Sequence, residues 1–192
     1  RARLPVARPA LRGLGPPRGG ARLPDPRLGL HTRLANPTPH YLEETLALLE
    51  TYGTDLEASA LVTGSGMAAV HLATNALLAI DPSRPGARIN LVASAKCYGG
   101  TFMLFNRYAA ERGIEVRWVS DPLDAAAFAR RIDDDTRFLY VEVPSNPALA
   151  LADIPALAVL AHAHGLPLLV DSTVATPALL RPLALGADIV IH

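Results

Sequence analysis

Four short stretches of this 192-residue chain place polar groups where they suit chemistry. Leu168-Leu169-Val170-Asp171-Ser172-Thr173 is an apolar run that stops on an acid. A carboxylate ending a strand buried on both faces lies where open α/β sheets hold their ligands, and it needs a cation or a proton. The plainer alternative is that Asp171 caps the following loop. Thr63-Gly64-Ser65-Gly66-Met67 reads as a strand-to-helix turn. Free N–H groups at such a helix N terminus suit an anion such as phosphate; the alternative is a tight turn with no ligand. Tyr98, in Cys97-Tyr98-Gly99-Gly100-Thr101, stands in a flexible turn. From there its ring can lie on a planar ligand while its hydroxyl moves a proton, or it is an ordinary half-buried tyrosine. Pro144-Ser145-Asn146-Pro147 is a rigid turn that aims the Asn146 amide inward, or plain loop chemistry.

A planar, phosphorylated, cationic ligand satisfies all four stretches together. The helix N terminus takes the phosphate, the aromatic covers one face, and the carboxylate pairs with a ring N–H⁺. Pyridoxal 5'-phosphate (PLP) fits that description, because its pyridinium must stay protonated to act as an electron sink. Gly64, Gly66 and Ala69 also match a loose GxGxxA dinucleotide fingerprint. That reading, a non-catalytic Rossmann-like nucleotide-binding module, needs an acid at the end of the next strand, and Ile89–Ala93 ends in Ser94. No metal site is expected: CxxC and HExxH spacings are lacking, and His162 and His164 face apart on a predicted helix. The single cysteine, Cys97, excludes an internal disulfide and fits a reducing compartment. Lys96 is the only lysine.

The elements that must position these groups follow from periodicity and punctuation. Thr38-Pro39 predicts a helix start; Leu42, Thr45, Leu46 and Leu49 form its apolar face, Glu43 and Glu44 lie near its positive end, and Gly53 stops it. Strands are then expected at Ala60–Thr63, Ile89–Ala93, Glu115–Val119, Arg137–Glu142, Leu166–Asp171 and Ile189–Ile191. Helices are expected at Met67–Leu78, Thr101–Arg112, Leu123–Ile132 and Ile154–His164, the last capped by Asp153. This alternation implies an α/β fold with a mainly parallel sheet covered on both sides. The polar stretches each follow a strand, so they converge on one crevice at the carboxyl edge.

Half of the residues are hydrophobic and 19% are charged, enough apolar material for a sizeable core. Eight arginines face one acid, Asp25, over the first 33 residues. Residues 1–30 therefore read as a disordered Arg/Pro/Gly-rich leader, residues 31–55 as an N-terminal arm and helix, and residues 56–192 as a partial cofactor-binding domain. A basic arm also suits a nucleic-acid binder with salt-sensitive affinity, but that reading leaves the four polar stretches unexplained. No apolar run reaches membrane-spanning length, so a soluble, cytoplasmic protein is expected, without membrane or nucleic-acid partners. Arg1 at the start and His192 directly after a strand give both ends a cut appearance.

Five ordered blocks carry a family resemblance. They are Thr32-Arg33-Leu34-Ala35-Asn36-Pro37-Thr38, Ser65-Gly66-Met67-Ala68-Ala69, Tyr98-Gly99-Gly100-Thr101, Glu142-Val143-Pro144-Ser145-Asn146-Pro147, and Val170-Asp171-Ser172-Thr173 continuing to Gly186-Ala187-Asp188. From about residue 27 onward the chain resembles the Cys/Met metabolism PLP-dependent family: cystathionine γ-synthase, the cystathionine β- and γ-lyases, methionine γ-lyase and the O-acylhomoserine sulfhydrylases. The resemblance implies the large domain of an aminotransferase-like, fold type I enzyme, truncated at its C terminus. It implies PLP as cofactor, small amino-acid substrates, and a homo-oligomer built as a dimer of dimers.

Site roles follow by the same resemblance. Ser65, Gly66 and Met67 would meet the phosphate, Tyr98 would stack on the ring and act on the substrate amino group, and Asp171 would pair with the ring nitrogen. Asn146 and Thr173 would lie beside the ring substituents, and Arg33 would reach the phosphate of a neighbouring subunit, a task suited to its two-pronged head. Two departures stand out. His31 occupies a position where the family usually has tyrosine. The family's Ser-x-Thr-Lys segment, whose lysine holds the cofactor covalently, falls beyond His192, and Lys96 is not at that site. The 192-residue chain alone is therefore expected to be inactive.

Overall fold

The computed structural model describes residues 36–79 and 88–192. Its centre is a five-stranded, wholly parallel sheet of β1 (Ile89–Ser94), β2 (Ile114–Val119), β3 (Thr136–Glu142), β4 (Leu168–Asp171) and β5 (Ile189–Ile191), in the order β2-β1-β3-β4-β5. The direction of winding reverses between β1 and β3, and a crevice opens beyond the carboxyl ends of strands at such a point. Strand alternation sends side chains to two cores. Leu91, Ala93, Phe138, Tyr140 and Leu169 pack toward α2 (Gly66–Leu77), α3 (Gly99–Met103) and the π turn Leu104–Ala109 that continues it. Val92, Leu139, Val141, Leu168 and Val170 pack toward α4 (Ala125–Ala129) and α5 (Ile154–Ala163). By the same two-residue period Glu142 and Asp171 fall on the α2 and α3 side.

Several elements depart from the sequence expectation. α1 runs Pro37–Thr51, capped two residues earlier than expected: the Asn36 side chain accepts from the Thr38 N–H at 3.0 Å, with proline at the first helical position. Glu43 and Glu44 thereby fall in the second turn. Its apolar stripe is not buried; Leu42 and Leu49 are exposed, and the buried residue is Glu50. Ala60–Thr63 is not a strand, and Leu61 is exposed. The run finds no ladder partner there; the Val62 N–H is met by the Glu43 carboxylate at 2.9 Å instead. The helix expected over Leu123–Ile132 shrinks to α4, because Asp121 turns back onto the Leu123 N–H and Asp124 takes the cap, accepting from Ala127 at 2.9 Å. The helix expected from Thr101 begins at Gly99. α6 (Thr176–Leu179) and a 3₁₀ turn at Pro182–Leu185 fill the connection between β4 and β5. None of the described helices is long and apolar enough to cross a membrane.

Candidate active site

The carboxyl ends of β3 and β4 bring two acids together. Glu142 and Asp171 stand opposite one another in the β3–β4 register, 4% and 6% exposed. Asp171 accepts from the Thr173 N–H through Oδ1 at 3.0 Å, and the Tyr140 hydroxyl lies 3.5 Å from its Oδ2. Glu142 is bound at both oxygens: the Tyr98 N–H donates to Oε2 and the Asn146 N–H to Oε1, each at 2.6 Å. No lysine or arginine pairs with either acid among the described residues. The resulting field is negative and shows in the neighbours. Burial, then Glu142 and Asp171, push the Cys97 thiol up to about 12. Burial, then Asp171 and Glu142, raise the Tyr140 hydroxyl well above its ordinary range. Glu142 itself is pushed upward by burial and by Asp171, against the Tyr98 and Asn146 N–H bonds that hold it down.

The other candidate residues gather around this pair. Ser65 caps α2, its hydroxyl accepting from the Ala68 N–H at 3.1 Å. The N–H groups of Gly66 and Met67, in the first turn of that helix, have no acceptor among the described residues. Met67 and Tyr98 meet across Gly100, where an added Cβ would lie 3.0 Å from Met67 Sδ and 2.6 Å from Tyr98 Cε1. A larger residue there would push the tyrosine ring away from the α2 turn. The Tyr98 ring is 48% exposed, and the Asn146 and Thr173 side chains are exposed too. Ser65, Gly66, Met67, Tyr98, Asn146, Asp171 and Thr173 thus border one edge of the sheet. Arg33 and His31 lie outside the described residues.

Ser94, where a dinucleotide site needs an acid, is buried, and its hydroxyl accepts from the Lys96 N–H at 3.1 Å. Among the described residues no group of His, Cys, Asp and Glu is arranged to hold a metal ion. Sequence reasoning assigns Glu142 no role of its own, although it ends an apolar strand as Asp171 does. Tyr140 and Cys97, which face the acids from below, carry no signal in the sequence beyond strand alternation and the neighbouring turn.

At this edge of the sheet the residues offer amide donors, a carboxylate and an aromatic ring, a set that suits a planar, phosphorylated cation. The chain is 38% identical over 162 residues to an O-acetyl-L-homoserine sulfhydrylase of Corynebacterium glutamicum, covering 84% of this chain and 34% of that protein. It is 38% identical over 168 residues to the cystathionine gamma-synthase of Escherichia coli, covering 88% and 40% respectively. It therefore spans well under half the length of these relatives. An O-acetylhomoserine sulfhydrylase structure from Wolinella succinogenes superposes with a TM-score of 0.68 at 39% identity, over 81% of this chain and 40% of that one. A Campylobacter jejuni structure, described as an O-acetylhomoserine (thiol)-lyase with N'-pyridoxyl-lysine-5'-monophosphate, gives 0.69 at 34% identity, over 82% and 36%. The parallel α/β architecture is thus the fold type I of PLP-dependent sulfhydrylases. The family model described as Cys/Met metabolism PLP-dependent enzyme matches residues 28–192, and this chain belongs to that family.

Proposed function

We propose that this chain supplies the cofactor crevice of a PLP-dependent transsulfuration-type enzyme. Its chemistry is elimination or replacement at the β or γ carbon of cystathionine, methionine or an O-acylhomoserine. The observation that carries the reading is the buried Glu142–Asp171 pair, with no cationic side chain on Asp171 among the described residues. Such a site is costly to leave without a counter-charge and accepts a protonated ring nitrogen directly. When bound, PLP supplies an electron sink for charge that develops at the substrate Cα.

The chain's own residues divide the remaining work. Ser65 fixes the start of α2, and the Gly66 and Met67 N–H groups would hold the phosphate. Asp171 would keep the ring nitrogen protonated, and its bond from Thr173 fixes the carboxylate plane. Tyr98, half exposed, would cover the ring and act on the substrate amino group. Asn146 and Thr173 would border the ring substituents. Arg33, ahead of α1, would serve the phosphate of a neighbouring subunit. The exposed apolar residues of α1, Tyr41, Leu42, Leu48 and Leu49, support homo-oligomerisation.

Lys96, the only lysine of the 192 residues, is exposed in the turn before Tyr98. By themselves these residues would therefore bind the cofactor without anchoring it covalently and would not turn over. PLP titration followed by absorbance tests both parts. Binding by the wild type is expected, weakened roughly tenfold or more in Asp171→Asn by loss of the charge-assisted bond. Borohydride treatment of the 192-residue chain is expected to leave no cofactor attached after denaturation. Equal affinity in Asp171→Asn would remove the carboxylate from the site, and covalent retention mapped to Lys96 would make it an anchor.

A further inference from the structure

We propose that Glu142 is a positioning residue of the crevice: one buried carboxylate ties the loop after β1 to the loop after β3, and so fixes Tyr98 and Asn146 relative to Asp171. The role rests on the PLP reading for what the crevice holds; the clamp itself does not.

The geometry is specific. β1 and β3 are neighbours at the point where the winding reverses, and their carboxyl ends lead into the loops bearing Tyr98 and Asn146. Glu142 gives one oxygen to each loop, both contacts short at 2.6 Å, as suits N–H groups facing a carboxylate. One partner is 44 residues away in sequence and the other only four, so the clamp is a tertiary device and not a local turn. The side chains it serves are held by little else: Tyr98 is 48% exposed and Asn146 is exposed. A ring half open to solvent, resting on Gly100, takes much of its place from its main chain. The Tyr98 main chain is fixed on both sides, its N–H on Glu142 and its C=O accepting from Phe102 at 2.9 Å as α3 begins. The position of Glu142 opposite Asp171 makes the clamp part of the crevice wall. Its surroundings also favour a firm bond, because burial at 4% exposure excludes the water that would compete for either N–H.

Glutamine at this position keeps the shape but presents an NH₂ to one of the two N–H donors, so a single bond survives. Alanine removes both. The test uses two cofactor-site probes and one measurement without any. In the protein alone, amide hydrogen exchange is expected to show protected Tyr98 and Asn146 N–H groups. Glu142→Gln should lose protection at one or both, while the Thr173 amide, which bonds to Asp171, stays as in the wild type. Glu142→Gln should also weaken PLP binding roughly tenfold, the scale of one buried charge-assisted bond lost, with Glu142→Ala weaker still. Affinity for inorganic phosphate, which reads only the α2 turn, should not change. PLP affinity unaltered in Glu142→Gln overturns the role. Equal loss of PLP and phosphate overturns it too, since that reports general damage and not misplacement of Tyr98 and Asn146. A wild type that takes phosphate but not PLP overturns the cofactor reading and this role with it, and the exchange data then still decide whether the clamp exists.

Discussion

Cys97 lies in the field of two carboxylates, and its chemistry follows from that position. Burial and the charges of Glu142 and Asp171 push its thiol up to about 12, so at pH 8 only roughly one molecule in ten thousand carries the nucleophilic thiolate. Labelling of the native protein by a thiol reagent at pH 8 is expected to be roughly a thousandfold slower than of the unfolded chain. Asp171→Asn should speed it, because removing a neighbouring negative charge lowers the thiol's pKa. Rapid native labelling would show that the thiol is not buried as described, and no acceleration in Asp171→Asn would remove the Asp171 charge from its surroundings. The place of Asp171 at the end of a buried strand was legible in the sequence, and so was its plainer role of capping the next loop, which its bond from the Thr173 N–H fulfils. Glu142 ends Phe138-Leu139-Tyr140-Val141 in the same way, yet its partners could not be read, because Tyr98 comes to it only through the pairing of β1 with β3.

At the scale of elements, the sheet is pinned at its opposite edge by a third carboxylate, Asp133, whose pKa is lowered where that of Glu142 is raised. Asp133 Oδ1 accepts from Asn90 Nδ2 at 2.7 Å and from the Asp135 N–H at 3.0 Å, and its Oδ2 meets Arg117 Nη1 at 2.7 Å. Arg117 also donates to the Arg131 carbonyl at 2.7 Å, so β1, β2 and the approach to β3 are joined at their amino ends. Burial works against ionisation of Asp133, but Asn90, Arg117 and the Asp135 N–H together hold it down to about 2. A folded pKa below the ordinary 3.8 means stability that is present above that value and lost as pH falls toward 2. The wild type should therefore lose urea resistance across that window. Asp133→Asn should begin weaker at neutral pH and converge with the wild type at pH 2. Because the carboxylate is 44% exposed, screening keeps the effect modest. Parallel curves would remove Asp133 from the acid limb. β1, β3 and β4 were legible as apolar runs buried on both faces and β2 by its alternation through Glu115 and Arg117, whereas Ala60–Thr63 has the same apolar look and finds no strand to pair with. α4 was not legible, since side-chain caps from Asp121 and Asp124 compete for the same few residues, and periodicity does not say which one wins.

For the molecule as a whole, α1 is attached by polar contacts and not by its apolar stripe. Glu50 is 5% exposed; its Oε1 is 2.7 Å from His192 Nε2, and its Oε2 accepts from the Leu183 N–H at 3.4 Å. Arg181 adds a bond to the Tyr52 carbonyl, its guanidinium 5.9 Å from the Tyr52 ring, and Glu43 holds Val62. The apolar stripe read from Leu42, Leu46 and Leu49 is real in the sequence, but its helix faces outward over most of that stripe, and no amount of periodicity reveals which surface will cover it. Glu50 therefore links the segment before the crevice to the end of β5. Glu50→Ala would leave His192 without its partner at Nε2, when Nδ1 has none among the described residues, and would free the Leu183 N–H. The expected loss is about 1–3 kcal/mol for an unmet buried polar group. It should be local: exchange of the α1 amides rises, while β1, β3 and β4 keep their protection, because their cores do not include α1. Glu50→Gln retains an acceptor and should fall between the two. Unchanged α1 exchange in Glu50→Ala would mean that Arg181 and Glu43 suffice to dock the helix, and an equal rise across the sheet would mean that α1 and the crevice open as one unit.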